Sequence, residues 1–161
     1  NNRTALWKAL LDDRLDIIAT DHAPHTWDAK QEDYLHAHAG LPLVQHSLPL
    51  MLKYVKEGAI PLEKVVEKMS HAPATCFQIR NRGFIREGYF ADLVVVDLNK
   101  STTVKKENLL YKCGWSPLEG ATFPAAIEQT FVNGNCVFQN NNYGKVVWNE
   151  SINGERMIFE R

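Results

Sequence analysis

The chain has 161 residues, is 45% hydrophobic and 23% charged, and carries a formal net charge of −1. Enough apolar material is present for a globular body of one domain or two small pieces, while the balanced charge and the lack of a basic block argue against nucleic acid and anionic membrane surfaces as partners. No apolar run approaches the ~20 residues of a membrane-spanning helix, and the opening Asn1-Asn2-Arg3-Thr4 is neither a signal peptide nor an initiator-Met start, so the expectation is a cytoplasmic protein whose N-terminus is processed or which is a piece of a longer chain.

Leu6, Trp7, Leu10 and Leu11 recur at helical spacing and predict a helix over residues 3–13, broken by Asp12-Asp13-Arg14. The short apolar run Leu15-Asp16-Ile17-Ile18-Ala19-Thr20 then predicts a buried strand of a parallel sheet. It ends at Asp21. A polar, His-rich stretch follows from His22 to about His46, and a loop of that length inside a compact body is usually functional.

Ser47 is placed to cap a helix whose face is Leu48, Met51, Leu52 and Val55, with Pro49 in its first turn. Gly58 stops it. Pro61 suits the start of the next helix, with Leu62, Val65, Val66 and Met69 as its stripe, and residues 72–77 add a short helix. Near Arg80 the character changes to short strand-like runs punctuated by Gly83, Gly88 and Gly114. Residues 91–97 are the clearest strand, and Asn133-Gly134-Asn135 between two apolar runs is a strong hairpin signal. The division expected is 1–79, mixed helix and strand, and 80–161, mostly β. Cys76, Cys113 and Cys136 form no CxxC pair and read as scattered reduced thiols.

An acidic side chain at the C-terminal end of a parallel strand, followed by a long loop, is where α/β barrels place catalysis. Asp21 stands there, and His22, His25, His36, His38 and His46 follow within 25 residues. Local chemistry alone leaves Asp21 between a catalytic carboxylate and a turn or helix-capping Asp. For each His taken singly, the expectation is a solvated loop imidazole. Trp27 and Tyr34 read as loop-packing aromatics, and Gly40-Leu41-Pro42 as a turn.

Residues 16–25, Asp-Ile-Ile-Ala-Thr-Asp-His-Ala-Pro-His, closely resemble the last barrel strand and following loop of dihydroorotases. Gly40 to Pro49 is similar to the start of their last barrel helix. Gly88 to Asp97 resembles the strand that returns to the small β domain of cyclic amidohydrolases. Lys112 to Gly120 and Val132-Asn133-Gly134 resemble that family's C-terminal region. The resemblance implies an α/β fold: the C-terminal part of a (β/α)8 TIM-type barrel in residues 1–79, then part of a small β-sandwich domain in residues 80–161.

It further implies that Asp21 binds a catalytic zinc and acts as general base, and that His25 binds the substrate carboxylate. Ala39 and Gly40 would contact substrate through their backbone. These roles make chemical sense. A metal lowers the pKa of bound water toward ~7, and a ligating carboxylate can take that proton and hand it to a leaving nitrogen. An imidazole can donate to a carboxylate, and a side-chain-poor pair lets a ligand approach the main chain. The implied activity is the reversible cyclisation of N-carbamoyl-L-aspartate to dihydroorotate in pyrimidine synthesis. The family's His-x-His metal pair and its other ligands are absent from these residues, and His36-x-His38 lies in the wrong loop to replace them. A complete barrel needs ~250 residues. The 161 residues alone are therefore expected to bind zinc weakly, to be inactive, and to expose apolar surface on Ile17, Ile18 and the helix stripes. Association into a homo-oligomer or truncation of a larger protein would account for such a surface. A related cyclic amidohydrolase, such as an allantoinase or hydantoinase, and a non-catalytic homologue are the alternatives. His25, as a partner for an anionic substrate, favours the dihydroorotase.

Overall fold

Asn1 accepts a hydrogen bond from the Thr4 N–H through its side chain and opens helix α1, Asn2–Leu11. The computed structural model describes residues 1–140, 146–149 and 151–160. After the four-residue turn α2, Trp27–Lys30, come α3, Ser47–Lys56, and α4, Leu62–Val66. A π-helical turn at Glu67–His71 joins α4 to α5, Ala72–Cys76. Three of these helices end in the same way. Asp13, Gly58 and Gln78 take left-handed φ values of 59°, 71° and 54°. The next amide donates back to the carbonyl of Ala9, Tyr54 and Ala74 respectively. This is the Schellman termination, in which one left-handed residue lets the chain turn back over orphan carbonyls.

The strand expected at residues 15–20 is not formed. Leu15 lies in a bend, residues 16–20 have no regular secondary structure, and among the described residues no strand lies beside them. A strand is defined by its neighbours' backbone groups, and here Leu15 N–H donates to Ala9 O at 3.2 Å and Ile18 N–H to Lys68 O at 3.1 Å, neither of them in a strand. Ile17 and Ile18 are half-buried rather than exposed. Ile18 packs against the core made by Leu10 of α1, Met51 of α3, Ile60 and Val65 of α4. Lys68 is buried at 3% exposure, and its ammonium meets Asp13 at 2.9 Å, where Lys64 also arrives at 2.8 Å. A buried lysine needs such a partner, and the pairing ties the end of α1 to the α4–α5 region.

Strands dominate after residue 90. Strand β1, Leu93–Asp97, is followed by the short antiparallel pair β2, Thr102–Thr103, and β3, Thr122–Phe123. Then come β4, Ala126–Val132, β5, Asn135–Asn140, and β6, Val146–Trp148. The larger sheet has the order β1-β4-β5-β6 and is antiparallel throughout. The hairpin forms where expected: Asn133 and Gly134 have φ of 50° and 81°, the two left-handed residues that match strand twist. Val104, Tyr111, Phe123, Ala125 and Ala126 are buried. Lys56 of α3 donates to the carbonyls of Leu98, at 2.6 Å, and Pro124, at 3.3 Å, which joins helix to sheet region.

Candidate active-site loop

The loop from Asp21 to His46 folds back on itself. His22 and Leu41 form an isolated parallel bridge, and Ala23 N–H donates to Leu41 O at 3.1 Å. Residues 22–25 therefore lie beside residues 38–41, with Ala23 against Gly40 and His25 on His38. Asp21 is exposed and sits at φ 48°, a left-handed conformation that Asp tolerates better than most residues. Gly40 has φ 99°, and a Cβ there would fall 2.4 Å from the Ala23 Cβ. Only glycine allows the two segments to approach this closely. The turn expected at Gly40-Leu41-Pro42 is thus a crossing of two extended segments, with Pro42 fully buried.

The histidines divide by role. His22 is half-buried, and its Nδ1 accepts from Leu43 N–H at 3.0 Å and from Val44 N–H at 3.3 Å. It thereby secures the approach to α3. His25 stacks on His38, with ring centroids 4.7 Å apart and planes 13° off parallel. Its carbonyl accepts from Trp115 Nε1–H at 2.9 Å, and Trp115 meets Trp27 edge-on at 5.3 Å. Lys30 donates to the carbonyls of His38 and Gly40, which pins the far side of the loop. His36 stays apart, exposed and bonded to Asp33 at 2.8 Å.

His46 is 5% exposed, not solvated as its loop position implied. Its Nδ1 lies 3.2 Å from the Tyr111 hydroxyl, and its ring stacks on Phe123 at 6.0 Å. Burial lowers the His46 pKa and raises that of Tyr111. Both effects favour the neutral forms, in which the phenol and the imidazole share one hydrogen bond whose direction follows the His46 tautomer. Tyr111 also accepts from Gln45 N–H at 3.0 Å. Ser47 does not cap α3. Its hydroxyl donates back to Val44 O, and a 3-10 turn at Val44–His46 leads into the helix instead. Tyr34, expected to pack in the loop, is 96% exposed.

Among the described residues no three His, Cys, Asp or Glu side chains converge to hold a metal ion. A catalytic zinc takes about three protein ligands, so Asp21 fits as a donor type but does not make a site with the residues around it. Sequence reasoning missed His22, Tyr111 and Trp115 as organisers of the loop. The Lys112 to Gly120 string drew notice only as a match, and nothing in its spacing points to a loop ninety residues earlier.

The model of the amidohydrolase family matches residues 1–137. A dihydroorotase from Pyrococcus furiosus is 38% identical over 138 residues, covering 86% of this chain and 32% of that protein. One from Halobacterium salinarum is 38% identical over 138 residues, 84% of this chain and 32% of its own. Among solved structures, the L-hydantoinase (dihydropyrimidinase) from Arthrobacter aurescens superposes with a TM-score of 0.74 at 31% identity, over 82% of this chain and 30% of that one. The D-hydantoinase from a Thermus species gives 0.82 at 24% identity over 91% and 32%, a likeness of fold. The chain spans about a third of the length of these relatives. It belongs to the amidohydrolase family, and within that family it is dihydroorotase-like.

Proposed function

We propose that this chain supplies one edge of a zinc-dependent dihydroorotase site, which interconverts N-carbamoyl-L-aspartate and dihydroorotate. The observation that carries the reading is the agreement with proteins named dihydroorotase, 37–40% identical across most of the chain in the Pyrococcus and Trichlorobacter examples and others. On this reading residues 1–79 hold the last strand and helices of a barrel, and residues 80–161 part of its β-rich companion. Asp21 is one metal ligand, with the other ligands contributed by residues outside these 161. Its exposed carboxylate, with no ion pair among the described residues, would take a proton from the water that attacks the ring carbonyl and give it to the ring nitrogen as the C–N bond breaks. His25 binds the substrate carboxylate, and the backbone of Ala39 and Gly40 lines the approach, open because neither position projects a large side chain. The crossing at Gly40 and Ala23 sets the spacing between these two contributions.

A second reading is a hydantoinase, favoured by the 31% identity to the Arthrobacter enzyme. Both substrates are cyclic amides, and His25 separates them, because dihydroorotate carries a carboxylate and hydantoin does not. The test uses the protein expressed from its complete coding sequence, assayed with dihydroorotate, hydantoin and allantoin. Dihydroorotate should give the highest kcat/KM. Faster turnover of hydantoin would replace the proposal, and turnover of none would leave a non-catalytic homologue.

A further inference from the structure

Residues 105–119 form a loop with pinned ends. Val104 N–H donates to Ala121 O and Gly120 N–H to Val104 O, both at 2.9 Å, beside the β2–β3 pair. Inside it Asn108 holds the turn, donating to Thr103 O and accepting from Lys105 N–H. Ser116 and Glu119 close the far end. A loop so braced is a rigid object, and one face of it lies against residues 22–46.

The contacts fall at both ends of that segment. At its C-terminal end, Gln45 spans the interface with two bonds, Nε2–H to Asn108 O and Leu110 N–H to Oε1, each 2.8 Å. Tyr111 accepts from Gln45 N–H and faces His46 Nδ1. At the N-terminal end, Trp115 Nε1–H holds the His25 carbonyl, and the Tyr111 ring lies 5.3 Å from that of His22. One braced loop thus grips the segment just after Asp21 and again just before α3. Between the grips, Trp27 meets Trp115 edge-on, His38 stacks on His25 and Gly40 abuts Ala23.

We propose that the 105–119 loop is a clamp that sets the geometry of the active-site loop, with Trp115 as the positioning residue for His25 and Tyr111 as the positioning residue for His22 and the 45–46 segment. The role of those substrate contacts rests on the dihydroorotase reading; the clamp itself rests on the contacts above. Its physical basis is preorganisation. A loop held in its bound shape spends less binding energy on ordering, so loosening it weakens substrate binding before it touches the proton transfer. Tyr111→Phe keeps the ring and removes the hydroxyl that bonds the half-buried Gln45 N–H and the buried His46 ring. Trp115→Phe keeps an aromatic against Trp27 and removes the donor to His25.

The test uses both variants in the protein expressed from its complete coding sequence, read by amide hydrogen exchange and by steady-state kinetics. In Tyr111→Phe the amides of residues 41–46 should exchange about tenfold faster, the scale of one lost buried hydrogen bond, with residues 126–140 unchanged. KM for dihydroorotate should rise by about tenfold in each variant, with kcat within about threefold and zinc content unchanged. A merely structural role would speed exchange across the whole protein and lower the active fraction, leaving KM as it was. That outcome overturns the clamp, as does unchanged exchange at 41–46 or an unchanged KM. If the parent protein turns over no dihydroorotate, the dihydroorotase reading fails on its own, and the exchange experiment still decides whether the clamp exists.

Discussion

The β4–β5 hairpin and the loop from Asp21 to His46 are both ordered, but by opposite means. The hairpin is held by a backbone ladder between residues close in sequence, turned by Asn133 and Gly134. The loop has almost no ladder. It is held by side chains that reach backbone groups 21 to 90 positions away: His22 to Leu43, Gln45 to Asn108, Trp115 to His25. A ladder repeats the same bond many times and tolerates side-chain change. A loop built on single contacts gives each residue a distinct consequence. Damage to the hairpin should therefore be read in stability, and damage to the loop in chemistry.

The largest effect should come from Asp21→Asn. Asparagine accepts the φ of 48° as readily as aspartate does, so the backbone keeps its shape while the carboxylate proposed to ligate the metal and accept the proton is lost. In the complete protein kcat should fall by at least about a thousandfold, with the dissociation constant for N-carbamoyl-L-aspartate within severalfold of the parent. Retained turnover would remove Asp21 from the role of base.

Gly40→Ala attacks the same loop through its packing. The new Cβ meets the Ala23 Cβ at 2.4 Å and must also adopt φ 99°, so the two segments have to part. Strain of about 1–3 kcal/mol is the scale of such a forced conformation, and it falls on the crossing of the 22–25 and 38–41 segments, where the proposed substrate contacts lie. We expect KM to rise by about ten- to a hundredfold with a smaller change in melting temperature. A variant with unchanged KM would show that the crossing does not define the site.

The hairpin gives the contrasting case. At Gly134 an added Cβ has only the Ala91 Cβ near, at 4.0 Å, so the cost of Gly134→Ala is the φ of 81° alone. That should destabilise by about 1 kcal/mol, visible as a lower urea midpoint, while kcat and KM stay within about twofold, inside the range of sites remote from chemistry. A kinetic effect larger than this would mean that the sheet and the active-site loop are coupled.

The same contrast explains what was legible in the sequence. The Asn133-Gly134 turn, the helix stripes and the stop at Gly58 are written in adjacent residues, and all three are found. The stops at Asp13 and Gln78 use the same geometry without a glycine, so only the first was marked, by its polar neighbours. The strand at 15–20 failed for another reason. Its residues have the right character, but a parallel strand exists only through neighbours, and among the described residues none lies beside it. Asp21 and His25 were singled out by their surrounding string and not by spacing. His22, His46 and Tyr111 were not assigned roles, because their partners are backbone groups and side chains brought close only by folding. An imidazole that accepts from two amides and one that floats in solvent are identical in the sequence.

The smallest effect, and the one most particular to the loop's anchorage, is a pH dependence at His46. Burial without a compensating charge holds its folded pKa below the ordinary 6.5. Between that lowered value and 6.5 the unfolded chain binds a proton that the folded chain refuses, so stability rises with pH across this window. The contribution is complete above 6.5 and is lost as the pH falls toward the folded value. The carboxyls of Asp12, Asp13 and Asp33, lowered chiefly by hydrogen bonds from Lys8, Lys64 and His36, act below 3.8 and leave the window clear. His46→Asn places an amide oxygen near the Nδ1 position, where it can accept from Tyr111 but cannot titrate. Urea midpoints measured from pH 7.5 to 5 should decline in the parent and decline less steeply in the variant. Equal slopes would mean that His46 is protonated in the folded state at the same pH as in the unfolded one, and that the Tyr111 contact does not require its neutral form.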